Sequence, residues 1–381
     1  MDTAQTTYDC VCPDLPDGEV CNPAGAQRCV SRLPKAHLHL HLTGGMRHAT
    51  LLDLAAQRGF RLPERLLDRS PLHLDVDADA RSWFRFQHLY DIARLQVSSP
   101  DVVRRMLLEM CEDERAEGSG WVELQVDPSG YAATFGGLHE VVEVLLDAAA
   151  GASERTGVGV GLIIAANRTR HPLQASTLAR LAAQFTESHP SGRASAGRGV
   201  VPVVGFGLSN DERASRPEEF EQAFRIARRA GLAALPHAGE LAGPASVRGA
   251  VTTLGAARVG HGVRASEDPH VLDLLATRQV AAEVCPTSNV ALGVAATSLD
   301  VPIRRLMEAG VPIALGADDP LLFGSRLAAQ YRIARVVHGL GDEDLARLAE
   351  QSVTASCAPD ATKQRLRTGI TDWLGASSPC A

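Results

Sequence analysis

From residue 32 onward, short apolar runs of β type alternate with longer stretches of helical period. The apolar runs begin at Ala36 (AHLHLHL), Trp121 (WVELQV), Gly157 (GVGVGLIIAA), Val200 (VVPVVGFGL), Leu232 (LAALPHAGE), Ala257 (ARVGHG), Val280 (VAAEVCP) and Val311 (VPIALGADD). Several are continuous rather than alternating, as in strands buried on both faces. Helical patterns fill the gaps, among them 50–59, 82–94, 100–118, 218–230 and 268–277. Alternating strands and helices predict a parallel sheet, and eight such units predict its closure into an α/β (β/α)8 barrel.

One connection departs from this rhythm. Roughly eighty residues separate the first two strands, far more than a βα loop requires. Such an insertion sits over the C-terminal mouth of a barrel, so residues 43–120 are expected to form a helical lid. Residues 1–31, rich in Pro, Asp, Gly and Cys, are expected to be a flexible tail. The barrel domain is drawn at 32–376, with a short tail at 377–381, and 188–198 reads as a polar surface loop.

Composition narrows the class of ligand. The chain has 381 residues, 45% hydrophobic and 22% charged, ordinary for a globular protein with a large core. A net charge of −7 provides no basic patch for nucleic acid or an anionic membrane, so a small molecule is the expected partner. The eight cysteines crowd the first 29 residues or lie scattered; CxC at Cys10 and Cys12 followed by wide gaps is neither a disulfide framework nor an ordinary zinc spacing. The first residues lack a basic segment followed by an apolar one, and no apolar stretch is long enough to span a bilayer, so a cytoplasmic location is expected. The oligomeric state is left open.

The candidate chemistry gathers at strand ends. His37, His39 and His41 alternate along the first strand, so they are expected to share one face. Pro236-His237-Ala238-Gly239-Glu240, Gly260-His261-Gly262 and Ala317-Asp318-Asp319-Pro320 close three other strands. A GHG alone suits a tight turn, and a DDP alone suits a helix cap. Four such motifs at the C-terminal ends of four strands point to one site, since barrel catalytic groups collect there. His39, His41, His237 and Asp318 supply the ligands of a mononuclear zinc site, where the metal lowers the pKa of a bound water from ~16 towards ~7. Glu240 is placed to shuttle protons, His261 to orient or deprotonate the water, and Asp319 to bond the substrate. Lys35 and Lys363 are the only lysines, and neither is expected on a central strand. That argues against a second metal bridged by a modified lysine and against Schiff-base chemistry.

With these motifs in this order, the sequence resembles the adenosine deaminase family of metal-dependent barrel hydrolases, from LPKAHLHLHLTG at Leu33 to LGADDPLLF. The resemblance implies hydrolytic deamination of a 6-aminopurine nucleoside. It implies one Zn2+ per chain, with Fe2+ as the alternative, held by His39, His41, His237 and Asp318. Glu240 would protonate purine N1, His261 position the hydroxide, and Asp319 bond N7. The H-x-E with P-C-x-x-C signature of the unrelated zinc deaminases is absent. Two positions depart from the family pattern. Thr43 stands where adenosine-specific members carry an Asp that meets the ribose 5′-hydroxyl. Ser209 and Asn210, in GFGLSNDE, stand near a usual glycine that meets the purine.

HLHLTG and LSNDE resemble deaminases of 6-amino-6-deoxyfutalosine, a 5′-extended adenosine of menaquinone synthesis whose benzoate Arg47 or Arg85 would pair with. Thr43, Asn210, Asp319, Arg47 and Arg85 are therefore the expected substrate contacts. Free adenine is the alternative substrate, and a non-catalytic binding protein on a barrel scaffold is the alternative class. Cys285 and Asn289, in CPTSN, read as supporting residues; Trp83, Phe84 and Phe86 read as lid packing.

Overall fold

The computed structural model describes residues 28–68, 72–75, 80–186 and 203–376. Three of the four N-terminal cysteines, Cys380 and the polar loop 188–198 lie outside them, as do residues 200–202 at the head of the expected fourth strand.

Eight strands pair side by side in sequence order, all parallel: β1 Lys35–His41, β2 Ser119–Val126, β3 Gly159–Asn167, β4 Val203–Ser209, β5 Ala233–Ala238, β6 Arg258–His261, β7 Ala281–Val284 and β8 Ile313–Leu315. Each matches one of the apolar runs. The ring closes at its C-terminal end, where Asp318 N donates to His39 O at 3.0 Å and His41 N donates to Asp318 O at 3.1 Å. Closure thus threads Asp318 between two histidines of β1. Outer helices cover the barrel; Asp342–Ala355 packs on both β1 and β8, and its Ser352 hydroxyl accepts from Ala36 N at 3.1 Å.

The lower barrel interior is charged rather than apolar. Arg258 reaches Glu283 and Glu123 from β6, and Trp121 Nε1 donates to Glu123 at 3.0 Å. Buried charges persist only when paired and hydrogen-bonded, and here each group has such a partner.

The long first connection holds α1 His48–Gln57, α2 Glu64–Leu67, α3 Ala80–Arg94 and α4 Pro100–Ala116. Ser99 caps α4, with Pro100 at its first position, and Val103, Met106, Leu107, Met110 and Cys111 bury its apolar stripe. That stripe packs on β2 and on the helix Leu138–Thr156, so α4 is an ordinary member of the outer ring. Of the 43–120 connection, α4 thus belongs to the barrel wall, and the part before it lies between β1 and α4. It is tied to the barrel where Leu72 N donates to Leu322 O and Leu74 N to Ala291 O.

Three further expectations change. The tail boundary at residue 31 falls inside a packed segment: Arg28 pairs with Asp342 and donates to Leu374 O and Ala376 O, and Val30 is buried. Lys35 does open a strand, β1, but its ammonium donates to Val30 O and Glu117 O, away from the histidines. His37 does not share the face of His39 and His41. The β1–β2 register shifts between His37 and Leu40, and a one-residue slip turns a side chain to the other face. His37 instead meets Glu114 of α4 at 2.8 Å and accepts from Ala317 N at 3.0 Å.

Candidate active site

Strand ends bring the predicted residues together. His39 and His41 come from β1, His237 from β5 and His261 from β6, while Asp318 follows β8. Asp318 Oδ1 lies 3.2 Å from His41 Nε2 and 3.5 Å from His39 Nε2. The Nε2 atoms of His41 and His237 are 3.3 Å apart. Glu240 Oε1 lies 3.4 Å from His261 Nε2, which is 3.9 Å from Asp318 Oδ2.

This set fits a cation. Within it, His39, His237 and His261 form one group whose ligand atoms all lie within 4.8 Å of one another, and His39, His41 and Asp318 form another. His39 Nε2 is buried, and Asp318 Oδ1, at 3.5 Å, is too distant and poorly aligned for a good hydrogen bond, so this buried atom calls for a closer partner. Three imidazole nitrogens and a carboxylate form a donor set suited to zinc.

The electrostatics separate the roles. Burial, then the neighbouring His39 and His41, holds His237 well below its usual range, so its lone pair is free. Burial and His39 likewise lower His261 to about 3. His39 goes the other way, to about 10: burial opposes its charge, but the bonds to Asp318 and Glu283 outweigh burial. Burial also opposes the charge of Asp318, yet the bonds from His39 and His41 keep it ionised. Glu240 is pushed well above the carboxylate range by burial and by the charge of Asp318. Asp319 is raised by the same two causes. Both shifts favour the protonated carboxyl, the form that can donate a hydrogen bond. A bound cation offsets the Asp318 contribution and leaves that of burial.

The backbone is strained around this centre. His261 has φ 60, Asp318 φ 62 and Asn210 φ 77, all in the left-handed region that non-glycine residues seldom adopt. Gly44 makes one close approach possible: a Cβ built there falls on the Asp319 carboxylate and 2.6 Å from its Cα.

A pocket opens at this centre, lined by His41, His237, Glu240, His261, Asp318 and Asp319 together with Arg94, Gln125, Asp127, Asn167, Ser209 and Asn210. Trp83, Phe86 and Tyr90 of α3 form its apolar wall. Phe86 stacks on Phe323 at 5.6 Å, whereas Phe84, 69% exposed, faces away. Asn210 is fixed by α3, accepting from Trp83 Nε1 at 3.2 Å and donating to Gln87 Oε1 at 2.8 Å. Asp319 lines the same pocket, whereas Thr43, Arg47 and Arg85 do not. Thr43 is fully buried, its hydroxyl 2.6 Å from Tyr131 Oη. Arg47 is clasped by Asp113 and Glu112. Arg85 is exposed on α3, and neither arginine lines the pocket.

Supporting residues escaped the sequence reading. Glu283 contacts His39, Ser288 Oγ donates to Asp318 Oδ2 at 2.6 Å, and Glu212 accepts four backbone amides around Glu240. Ser288 sits in the same CPTSN segment as Asn289, whose Nδ2 lies 3.3 Å from His261 Nδ1, and that motif was the available signal. Gln125 lines the pocket with both amide atoms buried and unpaired, which no motif announces.

Comparison with known proteins agrees with this geometry. The family model described as adenosine deaminase matches residues 34–373. The chain belongs to the adenosine deaminase family. It is 55% identical over 352 residues to a Streptomyces coelicolor protein named "Putative adenosine/adenine deaminase", covering 92% of this chain and 99% of that one. An adenosine deaminase of Salmonella paratyphi C is 32% identical, covering 89% and 98%. Among solved structures, adenine deaminase from Arthrobacter aurescens superposes with a TM-score of 0.78 at 27% identity, covering 90% of this chain and 99% of that one. The chain is thus a hydrolase of the deaminase type, acting on C–N bonds. Among the described residues, no helix is long and apolar enough to cross a membrane.

Proposed function

We propose that the protein deaminates a 6-aminopurine nucleoside hydrolytically, with one zinc ion held by His39, His41, His237 and Asp318. The substrate is adenosine or a 5′-modified adenosine such as 6-amino-6-deoxyfutalosine, and ammonia is released. The observation that carries this reading is the convergence of His39, His41, His237 and Asp318 beside two buried carboxyls, Glu240 and Asp319, whose burial favours the protonated form. When bound, zinc supplies Lewis-acid activation of a water molecule near neutral pH.

The chain supplies the rest. Glu240 donates its proton to ring nitrogen N1, which draws electron density from C6 and prepares that carbon for attack. His261, neutral through burial, accepts the proton of the attacking water. Asp319 donates a hydrogen bond to N7 from its protonated carboxyl. Water adds at C6, the amino group takes up the proton held by His261 and leaves as ammonia as the C6–N bond breaks, and the new C6 hydroxyl returns a proton to Glu240 as the 6-oxo product forms. Trp83, Phe86 and Tyr90 exclude bulk water above the ring, which supports a lid role for α3.

Gln125, in the pocket lining, offers an unpaired donor and acceptor suited to sugar hydroxyls, which supports a nucleoside rather than a bare base. Arg94, also in the lining and paired with Asp91, is the arginine that would meet an anionic 5′ group. Free adenine is the second reading, favoured by Thr43, whose buried hydroxyl is occupied by Tyr131 and meets no 5′ group.

Loss of purine absorbance on adenosine, adenine and 6-amino-6-deoxyfutalosine, with Glu240→Gln as control, decides among these. Turnover of a nucleoside far above adenine supports the reading. Turnover of adenine alone replaces it with the second, and no turnover of any of the three by zinc-loaded protein overturns both.

A further inference from the structure

The segment that carries Glu240 is gripped by two buried charges of opposite sign. Glu212, 3% exposed and just past β4, accepts four consecutive amides. Its Oε1 takes Gly239 N at 2.7 Å, and its Oε2 takes Glu240 N at 2.9 Å, Leu241 N at 2.8 Å and Ala242 N at 2.9 Å. Two residues before Gly239, the carbonyl of His237 accepts from Arg168 Nη2 at 2.5 Å, and Arg168 is itself buried and held to Ser215 O at 3.2 Å. The turn between these anchors has Gly239 at φ 78. Glu240's own carboxyl, by contrast, meets His261 at 3.4 Å and takes its direction from the backbone beneath it.

We infer that Glu212 is a positioning residue that aims the Glu240 carboxyl at the substrate, through the four amides of residues 239–242. The inference rests on the reading of Glu240 as the proton donor. Four converging N–H groups call for an acceptor-only side chain with two oxygens. Glutamine, though the same shape, would turn an amino group against at least one amide and tilt the turn. A displacement near 1 Å at a reacting group costs about 100-fold in rate. His237 keeps its own anchor in β5 and Arg168, so metal binding is not what Glu212 sustains.

The test is Glu212→Gln made in the wild-type and Glu240→Gln backgrounds, on full-length zinc-loaded protein, with kcat, KM, bound zinc and Tm measured for each. The expected result is a fall in kcat of about 10- to 100-fold in the wild-type background with zinc stoichiometry retained and KM changed by less than about threefold. In the Glu240→Gln background the same substitution costs less than about threefold, because the group it aims is already disabled. A role in general loop integrity would cost equally in both backgrounds, and that outcome overturns the inference, as does wild-type kcat in folded Glu212→Gln. Should Glu212→Gln fail to fold, Glu212→Asp keeps the charge and shortens the reach. A reduced kcat with zinc retained then supports the inference, and wild-type kcat overturns it. Wild-type activity in Glu240→Gln alone strikes the proton-donor reading instead, and the two failures are distinct.

Discussion

Glu283 Oε2 lies 2.8 Å from His39 Nδ1, so a buried carboxylate sets the orientation of a buried imidazole. Its other oxygen accepts from Arg258 Nε at 2.6 Å, and Arg258 reaches on to Glu123. The charged floor of the barrel is thereby a bracket for His39. It leaves Nε2 as the atom facing the other ligands, and the carboxylate makes the ring a stronger donor.

Glu283→Gln removes that charge and keeps the shape. Outer partners of this kind are worth about 10- to 100-fold in metal affinity. Zinc affinity of the variant, measured by competition with a chromogenic chelator, is expected to fall within that range. An unchanged affinity would show that ring packing alone orients His39.

Gly44 has no side chain because Asp319 occupies the space one would take. The contact reaches Asp319 backbone as well as carboxylate, so a methyl group cannot be met by a rotamer change. Gly44→Ala is expected to lower kcat/KM for the 6-aminopurine substrate by at least about tenfold, the scale of one misplaced polar contact in a transition state. Circular dichroism should stay close to wild type, and zinc content is measured alongside because the displaced Asp319 backbone adjoins the ligand Asp318. Wild-type kinetics in this variant would remove Asp319 from substrate binding.

The barrel was legible because strands buried on both faces announce themselves as apolar runs, and the ligands because they fall where those runs end. His37 was misplaced because a register shift is invisible to period-two counting. The place of α4 was not legible because a helix has the same pattern whether it covers the mouth or the flank; its packing on β2 puts α4 in the outer ring. Glu212, Glu283 and Arg258 were passed over because each acts through a partner distant in sequence, 135 residues in the case of Arg258 and Glu123. Arg47 and Arg85 misled because an arginine near a mouth in sequence can spend its charge on acids of its own neighbourhood, as Arg47 does on Asp113.

Acid stability should report the same bracket. Burial would raise the Glu283 carboxyl, but Arg258 and His39 hold it at about 2. A carboxyl depressed below its unfolded value of ~4.3 stabilises the fold above that value, and the stabilisation is lost as pH falls towards 2. The Tm of metal-free protein is therefore expected to drop more steeply below about pH 4.5 in wild type than in Glu283→Gln. Parallel slopes in the two proteins would mean that other carboxylates govern the acid limb.

The metal-free site should also hold a proton that metal displaces. His39 sits at about 10 because its bonds to Asp318 and Glu283 overcome burial. Its folded pKa exceeds the unfolded value of ~6.5, so this proton stabilises the metal-free fold at neutral pH and is lost as pH rises towards 10. A histidine binds metal only as the neutral ring. Zinc uptake near pH 7.5 is then expected to release the His39 proton in addition to any that the bound water gives up, with apparent affinity rising about tenfold or more per pH unit. His237 and His261, already neutral, contribute none. Calorimetric titration in buffers of different ionisation enthalpy measures the number directly. A slope near zero would mean that His39 is neutral before metal arrives, and that the Asp318 and Glu283 carboxylates orient the ring without charging it.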